Sequence, residues 1–240
     1  MKGFNERMLS SAEERRSRIV LALDFSGPFE KRLARAERVL GATQGHLAAV
    51  KLNHHLLLPF GLEGAKGIIS ACKAGGLPII ADLKMNDIES TNLNIVDSLL
   101  TYGVDAVIAN PFVGRKGGLG RAIEEAHLRG GGVLLLVYMS HEGADEGYGL
   151  RTEGGVPLFR VFAKRAKQWG ADGVVVSAKS PDVIEATRRI VGKKCLIFAP
   201  GVGAQGGAME SAAGADFVIV GRSITEAANP EEALRKLSSA

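Results

Sequence analysis

The run PIIADLK, from Pro78 to Lys84, holds the pattern that decides the fold. It begins with apolar residues that do not alternate with polar ones, and it closes on two charged residues, Asp82 and Lys84. A short, nearly continuous apolar run indicates a strand buried on both faces, which is typical of a parallel sheet covered by helices. We therefore predict a buried parallel strand with charge at its carboxyl end.

Seven further runs of this kind recur along the chain. They are IVLALD (19–24), AAVKLN (48–53), DAVIANP (105–111), VLLLVYMS (133–140), DGVVVSA (172–178), CLIFAPG (195–201) and DFVIVGR (216–222). The charged stretches between them, such as FEKRLARAERVL, GGLGRAIEEAHLRG and PLFRVFAKRAKQWG, place apolar residues three and four positions apart, as amphipathic helices do. The repeated unit is therefore a strand followed by a helix.

Eight such units in 240 residues predict an α/β protein with a single-domain (β/α)8 TIM barrel, since that fold takes roughly 250 residues. The short connections favour a closed barrel over an open doubly wound sheet, although the pattern does not give the strand order. We assign residues 18–240 to the barrel and residues 1–17 to an N-terminal helical extension packed over its N-terminal end. Ser11 and Glu14 have the spacing of a capping box for that helix. The glycines predicted to end helices before strands are Gly103, Gly170 and Gly214.

Composition narrows the functional classes. With 46% hydrophobic and 23% charged residues, the chain can bury a substantial core. The net charge of +4 is modest and few aromatics accompany the basic residues, so we expect no nucleic-acid partner, although a small anion would be attracted. We find no membrane span or leader and expect a cytoplasmic protein in which Cys72 and Cys195 are buried and reduced.

Charged residues gather where the predicted strands end. Asp24 ends the first run, Lys51 lies in the second, and Asp82 and Lys84 end the third, with Asp87 in the following turn. Active sites of such barrels lie at the carboxyl ends of the strands, and residues two apart on a strand share a face. These side chains therefore predict a catalytic site at the barrel mouth. The alternative is a structural network of salt bridges that stabilises the barrel top.

Two glycine-rich segments follow the last two strands. APGVGAQGG (199–207) follows the seventh run and VGRSI (220–224) the eighth, and Arg222 supplies a positive charge. Many barrels bind phosphate at this place through backbone N–H groups at a short helix N-terminus. We predict a phosphate-binding site.

The segment ADLKMNDIEST (81–91) closely resembles the Asp-x-Lys-x-x-Asp-Ile-x-x-Thr signature of the orotidine 5′-monophosphate decarboxylase family. LALD, VKLN, YMSHEGA, PGVGAQGG and VGRSI resemble that family's site segments in the same order, so the resemblance extends from Ile19 to about Pro230. It implies a TIM-barrel carboxy-lyase that converts orotidine 5′-monophosphate to uridine 5′-monophosphate and carbon dioxide in pyrimidine synthesis, with no cofactor and no metal.

Residue roles follow from the resemblance. It implies a Lys-Asp-Lys-Asp network, with Lys84 as proton donor, and a homodimer in which Asp87 and Thr91 complete the partner's site. Asp24 and Lys51 would contact the ribose, Ser140 the pyrimidine, Gln205 both base and phosphate, and Arg222 with the Gly221 backbone the phosphate. The implied catalytic residues are Lys51, Asp82, Lys84 and Asp87. The implied substrate-binding residues are Asp24, Lys51, Asp87, Ile88, Thr91, Ser140, Pro200, Gly201, Val202, Gly203, Gln205, Gly221 and Arg222.

The histidines do not fit a metal site. His54 and His55 follow Asn53, where the family more often has glycine, and adjacent side chains on a helical segment point apart. We interpret them as solvent-facing or packing residues, and we expect His46, His127 and His141 to be unpaired.

Two rival functions remain open. A magnesium-dependent keto-sugar-phosphate decarboxylase or aldolase would share the Asp-x-Lys-x-x-Asp core, but it needs a carboxylate near the second strand, where none occurs before Glu63. The second rival is a nucleotide-binding barrel without activity, which loss of the lysine network would favour. Here Lys51 and Lys84 are both present.

Overall fold

A computed structural model describes residues 2–203 and 209–238. It contains a closed barrel of eight parallel strands in the order β1 to β8, with β8 paired to β1, so the predicted TIM-barrel fold is confirmed. The strands are β1 Ile19–Ala22, β2 Ala49–Asn53, β3 Ile79–Met85, β4 Ala106–Ala109, β5 Gly132–Tyr138, β6 Gly173–Val176, β7 Leu196–Pro200 and β8 Phe217–Val220. Each lies within the run that predicted it or extends one residue beyond it.

Helices surround the strands. Within the described residues they are α1 Phe4–Arg15, α2 Arg32–Thr43, α3 His54–Gly64, α4 Lys66–Ala74, α5 Glu89–Tyr102, α6 Gly120–Leu128, α7 Ala144–Tyr148, α8 Leu158–Trp169, α9 Pro181–Val191, α10 Arg222–Thr225 and α11 Pro230–Ser238. Of the glycines predicted to end helices, Gly103 (φ 94°) and Gly170 (φ 73°) take the left-handed conformation. Gly214 was predicted wrongly, because the element before it is only the short 3₁₀ turn Glu210–Ala212, which Ala213 ends.

Two apolar cores separate at the barrel wall. One lies between the strands and the outer helices, and the other fills the barrel interior. Successive strand residues alternate between them: on β5, Leu134 and Leu136 point inward while Leu135 and Val137 point outward. Burial on both sides explains why the strands read as continuous apolar runs in the sequence.

Helix α1 closes the N-terminal end of the barrel. Phe4 and Met8 are almost fully buried and belong to the interior core, where the Phe4 ring stacks on Phe198 with centroids 6.5 Å apart. Polar side chains on the same helix bind carbonyl groups at the strand starts. Asn5 Nδ2 donates to Asp172 O (2.9 Å) and Ser11 Oγ to Ala48 O (2.7 Å). The helix thus both fills the barrel floor and satisfies backbone acceptors there.

The capping box predicted at Ser11 and Glu14 was wrong. Ser11 lies inside α1 and its hydroxyl is buried against Ala48, whereas the helix begins after Gly3, whose N–H donates to Glu6 Oε2 (3.1 Å). A serine can cap a helix or donate to a backbone carbonyl from within one. Here the Ser11 hydroxyl donates to the buried Ala48 carbonyl at the barrel floor.

Both cysteines are buried and free, as predicted. Burial raises the pKa of Cys72 and of Cys195 to about 12. Across residues 2–203 and 209–238, no helix is both long and apolar enough to cross a membrane.

Truncating the aromatic that fills the barrel floor should destabilise the protein. We expect Phe4→Ala to lower the free energy of unfolding by about 3–5 kcal/mol, because it removes a buried ring and leaves a cavity. Leu9→Ala on the same helix, where the side chain is 53% exposed, should change it by less than about 1 kcal/mol. Urea unfolding of the two variants measures both values, and equal losses would contradict the floor-filling role of α1.

Candidate active site

The carboxyl ends of the strands surround a cavity of about 240 Å³, which we call the mouth cavity. Ten of the residues predicted for the site line it: Asp24, Lys51, Asp82, Lys84, Ser140, Pro200, Gly201, Val202, Gly221 and Arg222. They come from strands β1, β2, β3, β5, β7 and β8 or from the segments that follow these strands. Because these strands are distant in sequence, closure of the barrel is what brings the side chains together.

One wall of the mouth cavity is charged. Lys51 Nζ lies 2.9 Å from Asp82 Oδ2 and 3.5 Å from Asp24 Oδ1. Lys84 Nζ donates to the other oxygen of Asp82 at 2.8 Å. Asp82 therefore bridges two ammonium groups, one deeply buried and one, Lys84, with 34% of its side chain exposed. Both ammonium groups line the cavity, and Lys84 is the more exposed of the two.

The electrostatics keep the buried pair ionised. Burial by itself would lower the pKa of Lys51, but the Asp82 and Asp24 carboxylates outweigh it and raise that pKa above its ordinary value. Burial would likewise raise the pKa of Asp82, but Lys51 and Lys84 together hold it below its ordinary value. Each group thus carries its charge at neutral pH because the other is present.

Strand β3 bends where it delivers Lys84. Lys84 has φ 47°, a left-handed conformation that is uncommon for a residue with a side chain, and the pairing of β3 with β4 shifts register between Ala81 and Met85. The prediction that Asp82 and Lys84 project the same way agrees with their shared hydrogen bond, but Lys84 reaches the mouth from a bent strand. Such backbone strain is typical of functional sites, where the surrounding structure holds it in place.

Another part of the cavity lining, the apolar wall, was not identified by the sequence analysis. It is formed by the last inward-pointing residues of four strands, Ile108, Leu136, Val175 and Ile219. Counting two positions at a time along each strand would have found them, because the same alternation places Ile80 and Asp82 inside the barrel. Asn53 and Met139 also line the cavity. Asn53 Oδ1 accepts a hydrogen bond from His55 N (2.9 Å) at the start of α3.

Ser140 follows β5 in a segment anchored by an aromatic residue. Tyr138, the last residue of β5, donates its hydroxyl proton to Asp145 Oδ1 at 2.6 Å and packs edge-on against Phe159. Burial and the neighbouring Asp145 carboxylate raise the pKa of Tyr138 to about 12, so the phenol remains a donor at neutral pH. The Met139–Gly143 segment, which includes Ser140, is thus tied at both ends.

The rim over β7 and β8 is rich in glycine. Gly201 (φ 107°) and Gly203 (φ 75°) take backbone conformations that favour glycine, and a side chain at Gly203 would collide with Ser223. Arg222 begins α10 and is exposed at the cavity. The predicted contact of Gln205 lies outside the described residues.

Four described residues that were predicted for the site do not line the mouth cavity of their own chain: Gly203, Asp87, Ile88 and Thr91. Asp87, Ile88 and Thr91 are exposed on the turn after β3 and the start of α5, and none of them lines the cavity. Asp87 Oδ1 instead accepts a hydrogen bond from Ile88 N at 2.7 Å. One chain therefore assembles Lys51, Asp82 and Lys84 without Asp87.

The expectation that His127 is unpaired was wrong. Its Nε2 lies 2.9 Å from Asp172 Oδ2 at the N-terminal end of the barrel, and that hydrogen bond raises the pKa of His127. His54 and His55 are exposed on α3. In the described part of the chain, no group of three or more His, Cys, Asp or Glu side chains is placed to hold a metal ion.

The two walls and the rim define the class of this protein. Active sites in eight-stranded barrels form at the carboxyl ends of the strands, and a glycine-rich rim with an arginine after β7 and β8 is suited to phosphate. A cavity lined by charged groups and by apolar side chains suits a small ligand that has both polar and apolar parts. The protein is a barrel enzyme built for a small phosphorylated substrate.

Comparison with known proteins makes the class specific. Residues 17–237 match the sequence profile of the family described as orotidine 5′-phosphate decarboxylase / HUMPS. The orotidine 5′-phosphate decarboxylase of Methanosarcina barkeri is 40% identical over 94% of this chain and 95% of its own length. The crystal structure of the Pyrococcus horikoshii enzyme, 35% identical, covers 92% of this chain and 97% of its own with a TM-score of 0.72. The Methanocaldococcus jannaschii enzyme, solved with the inhibitor BMP, is 29% identical and has a TM-score of 0.77 over 93% of this chain and 97% of its own. The chain belongs to the orotidine 5′-phosphate decarboxylase / HUMPS family, which confirms the resemblance seen in the sequence.

Removing the buried ammonium should destabilise the barrel mouth. Lys51→Met keeps most of the side-chain volume but leaves the Asp82 carboxylate with one cationic partner, so we expect a loss of about 3–5 kcal/mol in the free energy of unfolding. A lysine with a raised folded-state pKa contributes its full stabilisation below the unfolded pKa, about 10.4, and loses it only as pH rises through the folded value. Urea unfolding at pH 7 therefore captures the whole effect. Lys66→Met, which breaks an exposed pair with Glu63, is the control and should change stability by less than about 1 kcal/mol. An equal change in both variants would contradict this account.

Proposed function

We propose that this protein decarboxylates orotidine 5′-phosphate to uridine 5′-phosphate and carbon dioxide in pyrimidine synthesis, without a cofactor, and that Lys84 is the proton donor. The observation that carries the proposal is the Lys84 ammonium, which lines the mouth cavity and is held by Asp82 at 2.8 Å. The match to curated decarboxylases over more than nine-tenths of the chain supports the substrate.

Decarboxylation requires a positive charge beside the ring carbon that carries the carboxylate. When the bond between that carbon and the carboxylate breaks, carbon dioxide leaves and the electron pair stays on the ring. A fixed ammonium group stabilises this developing charge in a site that excludes water. Lys84 Nζ then transfers its proton to the same carbon and regains one from solvent.

Asp82 acts on this step through Lys84. Its two oxygens bind Lys51 and Lys84, which fixes the direction of the Lys84 ammonium. In the bound complex Asp82 faces the substrate carboxylate, and the contact is relieved when carbon dioxide leaves. We assign the larger effect to binding of the transition state, because preorganised charge stabilises the carbanion without reorganisation.

The remaining groups hold the nucleotide. Asp24 and Lys51 bind the ribose hydroxyls, Ser140 the pyrimidine edge, and Arg222 with the Gly221 backbone the phosphate. The apolar wall accepts the face of the ring. Binding energy from the distant phosphate raises the rate as well as the affinity when it is used to close the site. The bridging role of Gln205 remains a prediction from the sequence.

The protein works as a homodimer in which Asp87 and Thr91 complete the partner's site. The exposure of both residues, away from their own mouth cavity, supports this arrangement. So does Ile88, whose side chain is 63% exposed between them. With Asp87 added, the charged wall becomes an alternating Lys-Asp-Lys-Asp row. We place the enzyme in the cytoplasm, which the two free buried thiols support.

The proton-donor assignment is tested by Lys84→Ala. We expect the rate of decarboxylation, followed by the absorbance change of orotidine 5′-phosphate in the presence of a chelator, to fall by roughly a thousand-fold or more, because both charge stabilisation and proton transfer are lost. Lys66→Ala, an exposed lysine on α4, should retain wild-type activity.

The same assay separates the rival functions. A wild-type protein that needs added Mg²⁺, or that accepts a keto-sugar phosphate in place of the nucleotide, would establish the magnesium-dependent rival. A wild type that binds the nucleotide but does not turn it over would indicate an inactive barrel. Full activity in Lys84→Ala would refute both roles assigned to Lys84, charge stabilisation and proton donation, but not the decarboxylase activity.

The shared site is tested with hybrid dimers. A dimer purified through different affinity tags on a Lys84→Ala subunit and an Asp87→Asn subunit contains one site with both residues intact. We expect it to recover about half of the wild-type activity per dimer, although each variant by itself is inactive. Sedimentation tests whether the hybrid is a dimer, and a hybrid as inactive as its parents would show that Asp87 does not serve the partner's site.

A further inference from the structure

A fully buried amide lies beneath the turn that carries Asp87. Asn92, in the first turn of α5, has no exposed surface. It does not line the mouth cavity, and the sequence analysis did not single it out. We infer that Asn92 is a positioning residue that sets the direction in which Asp87 leaves its own chain. This inference rests on the proposed shared site.

The side chain of Asn92 connects two segments. Its Nδ2 donates to Asp87 O at 2.5 Å and to Gly118 O at 3.2 Å. Its backbone N–H donates to Ile88 O at 3.0 Å. One residue therefore holds the Asp87–Ile88 turn and joins it to the irregular Arg115–Leu119 turn after β4.

The other hydrogen bonds of the Asp87–Ile88 turn do not fix the backbone at Asp87. Asn86 Oδ1 accepts from Val113 N at 3.1 Å, which ties the start of the turn to the segment after β4. Asp87 Oδ1 accepts only a local hydrogen bond, from Ile88 N, among the contacts of the described residues. The carbonyl of Asp87 is thus the point at which the backbone next to the carboxylate is fixed, and Asn92 fixes it.

Filling space in the core does not explain why an amide side chain stands at position 92. Within residues 2–203 and 209–238 its Oδ1 is buried and accepts no hydrogen bond. A buried acceptor without a partner destabilises a fold, and an apolar residue would not carry that penalty. The two hydrogen bonds donated by Nδ2 are therefore what the amide contributes. One of them ends on the backbone of a residue proposed to act in catalysis.

The inference predicts that Asn92 variants behave as Asp87 variants do. We expect Asn92→Ala to lower kcat/KM by about a hundred-fold, since a displacement near 1 Å of a group in an active site has an effect of that size. The variant should remain a folded dimer by sedimentation and thermal unfolding. Asn92→Leu keeps the number and branching of the side-chain heavy atoms, without a hydrogen-bonding group, and serves if the alanine variant folds poorly. The matched control is Asn94→Ala, an exposed asparagine on the same helix that accepts a hydrogen bond from Ser98, and it should stay fully active.

Hybrid dimers then distinguish positioning from general support of the barrel. An Asn92→Ala subunit paired with a Lys84→Ala subunit should recover about half of the wild-type activity per dimer, because the intact site takes Lys84 from one chain and a correctly held Asp87 from the other. Paired with an Asp87→Asn subunit, it should recover none. Recovery with the Lys84→Ala partner but not with the Asp87→Asn partner is not expected if Asn92 only stabilises its own barrel.

Each other outcome overturns the inference. Wild-type activity of both Asn92 variants shows that the turn needs no anchor. Failure of Asn92→Ala to recover with either partner shows damage to its own site. If the reference hybrid of Lys84→Ala with Asp87→Asn also fails, the shared site itself is wrong, and the fault then lies in the proposed function.

Discussion

Every second side chain of the eight strands must enter one closed interior, and the rest of the molecule follows from that constraint. Along β3 the inward positions are Ile80, Asp82 and Lys84, so a single strand passes from the apolar core to the charged mouth. The floor is closed by Phe4 and Met8 of α1. With the interior filled below, a ligand can enter only from the carboxyl ends, where the charges lie.

The charged wall combines stability with reactivity. Asp82 and Lys51 help to keep each other ionised in a buried setting, with Asp24 raising the pKa of Lys51 further and Lys84 lowering that of Asp82. Lys84 completes the chain of charges but is partly exposed and sits on a strained backbone. A buried pair that holds an exposed cation is a preorganised electrostatic site, since its charges are in place before the substrate arrives.

Some residues of the site could be predicted from the sequence and others could not. Asp24, Lys51, Asp82 and Lys84 could be placed at the mouth because charge at the end of an apolar run is conspicuous. Ile108, Leu136, Val175 and Ile219 were missed, since strands buried on both faces give no contrast between inward and outward apolar residues. Ser11 was assigned to a cap because its spacing to Glu14 is local, whereas its partner, Ala48, is distant in sequence.

The sequence by itself determined the eight strand–helix units, the charged and glycine-rich strand ends and the family resemblance, because these depend on periodicity and short-range composition. Only the tertiary structure decided which side chains meet. It turned Asp87 away from the cavity of its own chain, paired His127 with Asp172 and buried Asn92 between Asp87 and Gly118. The physical reason is that such contacts join elements whose approach is fixed by closure of the barrel, which no local pattern encodes.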